Sequence, residues 1–215
     1  MRSWGSYRRG VVLLAALTLL WRGWTISRWS WDSDDWIYLA DTESLGFWEY
    51  LWQDYNGHLM PAEFLVSWVV TKAAPLNFWL PVVLVALASA GNVWLWGRAL
   101  AALAGERLVL LAPLGLLALT PLMIRPTIWW ASSLQALPLQ ITLALMVTAA
   151  ARLARGGGRR DLAGLLLALV VGLLFWQKAL LLVIPTVAVL LHLSPGPFLG
   201  RIRRHAVSIA AVAGV

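Results

Sequence analysis

At 215 residues, with 60% hydrophobic and only 13% charged residues, the chain carries about half the charge fraction of an ordinary soluble domain, and its mean hydropathy is +0.75. That composition excludes a soluble globular domain and defines an integral membrane protein. The net charge of +7 does not indicate a nucleic-acid partner: the basic residues sit in short clusters between apolar runs, and no soluble surface remains for a phosphodiester groove. With no cysteine, disulfide and thiolate chemistry are excluded as well.

In chain order, apolar segments fall at about 9–27, 77–97, 107–124, 128–151, 162–177 and 179–193, and Ala206–Val215 reads as the start of a seventh. The expected fold is all-α: a polytopic transmembrane helical bundle of about six or seven spans, with 1–215 as a single transmembrane domain. Val11–Leu20 behind a basic terminus has the form of a signal peptide. No small-x-small cleavage site precedes Trp21-Arg22, so a retained signal anchor is expected. Pro113, Pro121, Pro138 and Pro185 lie in or near spans, where neighbouring helices re-satisfy freed backbone groups.

Residues 28–76 form the first long interruption. Eight of the ten carboxylates fall between Asp32 and Glu63. Leu45, Trp48, Leu51, Trp52 and Tyr55 recur on one helical face opposite Glu49 and Gln53, which predicts a short amphipathic helix in the membrane interface, capped by Thr42 or Ser44. Leu59–Pro75 is apolar but holds Pro61, Glu63 and Lys72, and its placement decides the topology. If it lies in the interface, the terminus with Arg2, Arg8 and Arg9 shares a side with Arg98/Arg107, with Arg152/Arg155/Arg159/Arg160 and with Arg201/Arg203/Arg204. That puts 12 of the 17 basic residues on one face. The positive-inside rule then predicts a plasma (inner) membrane protein with a cytoplasmic N-terminus and an extracytoplasmic acidic loop. Most of the 15 tryptophans fall near that outer face, as an aromatic belt would.

Chemistry concentrates in the same loop. Asp34 and Asp35 are adjacent carboxylates whose repulsion in a partly desolvated site would raise one proton affinity and provide a general base. The Asp-x-Asp spacing of Asp32 and Asp34 also suits a divalent metal; a solvated acidic loop is the plain alternative. His58 sits in Asn56-Gly-His-Leu-Met-Pro61, where Gly57 and Pro61 fix a turn. Arg125 and Lys178 lie at the outer ends of apolar runs, where a cation snorkels or meets an anion. Carboxylates beside His58, Arg125 and Lys178 suit an anionic lipid head group and a hydroxyl to be deprotonated. Neither a Gly-x-Gly-x-x-Gly nor a Walker pattern is present; Arg155-Gly-Gly-Gly-Arg159 is a flexible turn.

One span, an external loop opening with Asp34-Asp35-Trp36, an interfacial helix, then His58-Leu-Met-Pro61 leading an amphipathic segment and a span ending in Arg98 and Gly105: this order resembles the N-terminal portion of the lipid-linked glycosyltransferases of the GT-C fold. That superfamily includes protein O-mannosyltransferases, aminoarabinose transferases and mycobacterial arabinosyltransferases, and the likeness is to its actinobacterial-type members. The resemblance implies a bacterial cell-envelope enzyme that moves a sugar from a polyprenyl-phosphate donor to a glycan or protein hydroxyl. Asp34, with Asp35 next, would be the catalytic base, and His58 would approach the donor phosphate. Arg125 and Lys178 are outer-face candidates for the same phosphate. No cofactor is required, although a divalent metal at Asp32 and Asp34 stays open. The Leu-Met-Pro and Gln177-Lys178 sequences depart from the more familiar Pro-Pro and Glu-Lys. Family enzymes have eleven or more spans, so a chain ending within Ala206–Val215 is expected to be a fragment. Two other classes remain: a transporter or flippase for a lipid-linked intermediate, and a non-catalytic membrane subunit.

Overall fold

The computed structural model describes residues 3–214; Met1, Val215 and Arg2 of the N-terminal basic cluster lie outside them. Within that range the apolar runs are helical: α1 (Ser3–Ile26), α5 (Trp79–Ala104), α6 (Leu111–Leu119), α8 (Trp130–Ala154), α9 (Arg159–Phe175) and α10 (Val183–Leu193). Between α1 and α5 lie the shorter α2 (Asp34–Ser44), α3 (Phe47–Leu51) and α4 (Pro61–Ala73). The remaining elements are α7 (Ile124–Ile128) and α11 (Phe198–Ala213). Among the described residues no β-strand forms; one isolated bridge pairs Tyr55 with His58. The protein is an all-α helical bundle of membrane character.

Among the described residues, four stretches are long and apolar enough to cross a bilayer: Gly5–Ile26, Trp79–Ala104, Leu108–Ile128 and Trp130–Ala154. The third is not one helix. A 3-10 turn at Leu108–Leu110 precedes α6, and a second at Pro121–Met123 separates it from α7, because Pro121 cannot continue the ladder and Thr120 caps the new turn through its side chain. The expected spans at 162–177 and 179–193 correspond to α9 and the apolar stretch Gln177–Leu193, which are shorter than the four long stretches and both pack against α8. Helix α8 runs through Pro138 without a break.

Helix α1 packs closely on α5. A Cβ at Gly97 would lie 2.6 Å from Val11, so only glycine allows this approach, and Tyr7 donates its hydroxyl to the Gly97 carbonyl at 2.7 Å. Asn92 of α5 donates to Gln140 of α8 at 2.7 Å, an interhelical bond of the kind that adds about 0.6 kcal/mol in membranes. Arg22, which the sequence places among the outer cations, is buried and donates to the Thr120 carbonyl at 3.0 Å, closing the end of α6.

The bundle has a basic end and an acidic end. At the first, Arg8 meets Glu106 at 3.0 Å, the Arg155 guanidinium takes the Ala102 and Leu103 carbonyls that end α5, and Arg152 faces Asp161 at 3.8 Å. Arg201 donates to the Leu191 carbonyl at the end of α10, so the third basic cluster joins the same end. At the other end, Trp31 donates to the Leu76 carbonyl at 3.3 Å and His58 pairs with Gln177 at 3.1 Å. Both termini of α4 therefore lie at the acidic end. It packs across that end, against α2 and α9.

Four local expectations differ. The acidic pair opens a helix, α2, rather than a loop. The predicted interfacial helix shrinks to α3, since Leu45 and Gly46 are extended and Trp52 leaves the ladder. Thr42 caps nothing: its hydroxyl donates to the Tyr38 carbonyl inside α2 at 2.7 Å, and Ser44 ends α2. Finally, α11 starts at Phe198, takes in Arg201, Arg203 and Arg204, and is amphipathic rather than the apolar start of a span at Ala206.

Candidate active site

Asp34 and Asp35 occupy the first turn of α2, where the exposed N–H groups and the helix dipole favour carboxylates. One residue of helical rotation separates their fates. Asp35 is fully buried; its Oδ2 accepts from the Asp32 N–H at 3.0 Å and its Oδ1 from the Ala131 N–H at 2.8 Å. Ala131 is in the opening turn of α8, so this carboxyl ties the start of α2 to the start of the longest central helix after α5. Burial pushes its pKa up to about 6, against the lowering effect of those backbone bonds.

Asp34 is only half-buried and lies beside Tyr55, whose hydroxyl is raised to about 12 by burial and then by the Asp34 charge. Tyr55 is held there by the Asn56-Gly57 turn. Both residues have positive φ, 53° and 78°, as a two-residue hairpin turn needs, and the Tyr55–His58 bridge closes it.

The residue that the sequence did not single out is Glu63, in the first turn of α4. It is fully buried, and its Oε1 accepts from the Tyr38 hydroxyl at 2.8 Å and from Gln135 Nε2 at 3.3 Å, while Oε2 has no protein partner. Burial, followed by the charges of Asp34 and Asp35, raises its pKa to about 8, so Glu63 is a protonated acid at neutral pH. Burial and the neighbouring Glu63 likewise push the Tyr38 hydroxyl above the ordinary phenol range. Tyr38 is packed edge-on by Tyr55 and Phe64 at 5.3 and 5.2 Å, which fixes the ring against Glu63. A carboxylate in an otherwise apolar segment was the available sign, because an ionisable group there is costly.

The cations divide. His58 Nδ1 pairs with Gln177 Oε1, next to Lys178, whose Nζ sits 4.0 Å from the centroid of the Trp176 ring. Trp176 packs on the same aromatic cluster as Tyr38 and Phe64. His58 and the Gln177-Lys178 segment thus meet at the rim of the aromatic cluster that holds Tyr38. Arg125 approaches from the Asp32 side: its Nη1 contacts Asp32 at 3.2 Å, and its guanidinium lies 5.6 Å from the centroid of Trp129, which packs on the same aromatic cluster. Asp32, half of the suggested metal pair, is engaged by that arginine. Among the described residues no three His, Asp or Glu side chains gather as a metal site would require.

The site combines a half-buried carboxyl on a tyrosine, a buried carboxyl raised in pKa, an imidazole and a lysine ammonium, at one end of an apolar bundle. It can accept a proton, donate one, and hold an anion. Comparison with protein-family models, with curated proteins and with solved structures gives no match. Fold and site therefore define a class only: an all-α membrane protein with a carboxyl cluster at one end of its bundle.

Proposed function

We propose that the chain carries the acceptor-activating part of a membrane glycosyltransferase that uses a polyprenyl-phosphate sugar, with the acidic end extracytoplasmic and the N-terminus cytoplasmic. The observation that supports it most is the pairing of a half-buried Asp34 with a fully buried, protonated Glu63, beside His58 and Lys178. Environments that separate the proton affinities of two carboxyls divide acid from base roles. Asp34 takes the proton of an acceptor hydroxyl as its oxygen attacks the anomeric carbon. The bond from that carbon to the phosphate oxygen breaks, and its electron pair leaves with polyprenyl phosphate. Lys178 and His58 bind the departing phosphate, with Arg125 on the Asp32 side of the site. Asp35 is a positioning residue that holds the α2 turn on α8. The positive-inside rule supports the orientation, given the arginines at the opposite end.

The test is transfer from a polyprenyl-phosphate sugar to a hydroxyl acceptor in reconstituted vesicles. Asp34→Asn is expected to lower the rate by roughly 10³-fold with donor binding unchanged; an undiminished rate would remove the base assignment. Glu63 also favours a second reading, a proton-coupled transporter or flippase of a lipid-linked intermediate. Flux driven by a pH gradient and lost in Glu63→Gln, with no transfer, would select it.

A further inference from the structure

A second cavity lies away from the carboxyl cluster, between α5, α8 and α9. It is an open groove of about 510 Å³, a volume typical of small-ligand sites. Its walls are Leu95 of α5, Ile141 and Leu145 of α8, and Leu167, Val171 and Phe175 of α9. From Gly164 to Phe175 it follows about 16 Å of helix. No polar residue sits along that length apart from Thr142 and Thr148, both of which are helix-borne hydroxyls.

At the basic end the groove is bounded by Arg98, Arg152 and Arg160. Arg155 nearby is committed to the α5 carbonyls, but these three are not used in that way. Arg98 lies over the Trp94 ring at 5.0 Å, and Arg152 faces Asp161 at 3.8 Å. Arg160 makes no hydrogen bond or ion pair among the described residues. Asp161 opposes an incoming anion, so the rim has an excess of two positive charges. An apolar slot that opens sideways and ends in an excess of guanidinium groups matches one chemistry: an acyl chain attached to a phosphate.

The geometry points to a binding site for one anionic phospholipid of the leaflet at the basic end. Its chain fills the α5–α8–α9 groove and its phosphate meets Arg98, Arg152 and Arg160. Such a lipid fastens α9 to α5, which touch little otherwise, and so braces the helix that leads to Trp176 and Lys178. The site stands whether or not the acidic end is catalytic.

The test is native mass spectrometry of the detergent-purified chain with phosphatidylglycerol and phosphatidylcholine of the same acyl chains. Wild type should retain phosphatidylglycerol roughly tenfold over phosphatidylcholine. The double variant Arg98→Gln/Arg160→Gln should lose that preference, and Arg203→Gln, on the same end but outside the groove, should keep it. Gly164→Phe changes no charge; Gly164 lines the groove and a Cβ there meets nothing within 4 Å, and an unchanged thermal midpoint checks that the variant stays folded. Gly164→Phe should lower phosphatidylglycerol retention about as much as the double variant. Equal retention of both lipids overturns the site. Loss in the arginine variant but not in Gly164→Phe overturns the groove, leaving attraction to a basic face. Displacement of phosphatidylglycerol by equimolar polyprenyl phosphate overturns the assignment of the occupant.

Discussion

At the acidic end of the bundle the charged side chains have been taken in: Asp35 and Glu63 are fully buried, each held by two donors. At the basic end the guanidiniums of Arg98, Arg152 and Arg160 stay exposed on the rim, and their alkyl stems cover apolar surface. The physical costs differ accordingly. Exposed arginines keep their hydration and lose little. A buried carboxylate loses its hydration, so it must be hydrogen-bonded or protonated, and Glu63 is both. Buried titratable groups with raised pKa values cluster more often at functional sites than exposed arginines do, which is why the acidic end carries the proposed chemistry.

The contrast can be broken most severely at Glu63. Glu63→Ala leaves the Tyr38 hydroxyl buried without its acceptor, reduces Gln135 to its weak contact with Met60 Sδ, and opens a void. The expected loss is about 3 kcal/mol or more, read as a fall in the thermal midpoint in detergent. Glu63→Gln keeps an acceptor for Tyr38 and should stay near wild type at pH 6. Next comes Asp35→Asn, which places an amide N–H against the Asp32 N–H. A loss of about 1–3 kcal/mol is expected, with faster hydrogen exchange at Ala131.

Titration sharpens the comparison. The native pKa of Glu63, about 8, lies above its unfolded value near 4.3, so the native state binds the additional proton and stability falls as pH rises between those values. Asp35, raised to about 6, has the same sign in a lower window. Between pH 6 and 8 the slope is therefore assigned to Glu63. The wild-type midpoint should drop across that interval, and Glu63→Gln should flatten it. A smaller effect is expected for His58→Ala or Lys178→Ala: a rise in KM for the donor of roughly tenfold, with kcat changed less. Smallest is Lys72→Ala, which breaks the exposed pair with Glu43 at 2.9 Å and should cost less than about 1 kcal/mol.

Much of this was legible in the chain. Apolar runs placed the long helices, and Gly57 marked the turn beside His58, whereas Pro61, read as part of that turn, opens α4. The carboxyl cluster was only half visible. Asp34 and Asp35 are equivalent in sequence, and it is the phase of α2 against α8 that buries one and leaves the other at the surface. Glu63, Tyr38, Tyr55 and Gln135 come from separate segments, and no local pattern brings them together. Nothing in the spacing pairs Arg125 with Asp32, 93 residues away; the fold makes that contact. The start of α2 was missed because Ser33, at a φ of 48°, forms no side-chain cap and the helix is entered through Asp34 instead.

The central claim is that the acidic end, and not the basic end, receives the sugar-bearing phosphate. A polyprenyl-phosphate sugar with a diazirine on the isoprene nearest the phosphate, photolysed with the chain in vesicles and mapped by peptide mass spectrometry, tests it directly. Labelling within residues 47–60 and 176–182 is the predicted result. Labelling confined to residues 95–107 and 152–164 would contradict the account and move the donor to the arginine-rimmed groove.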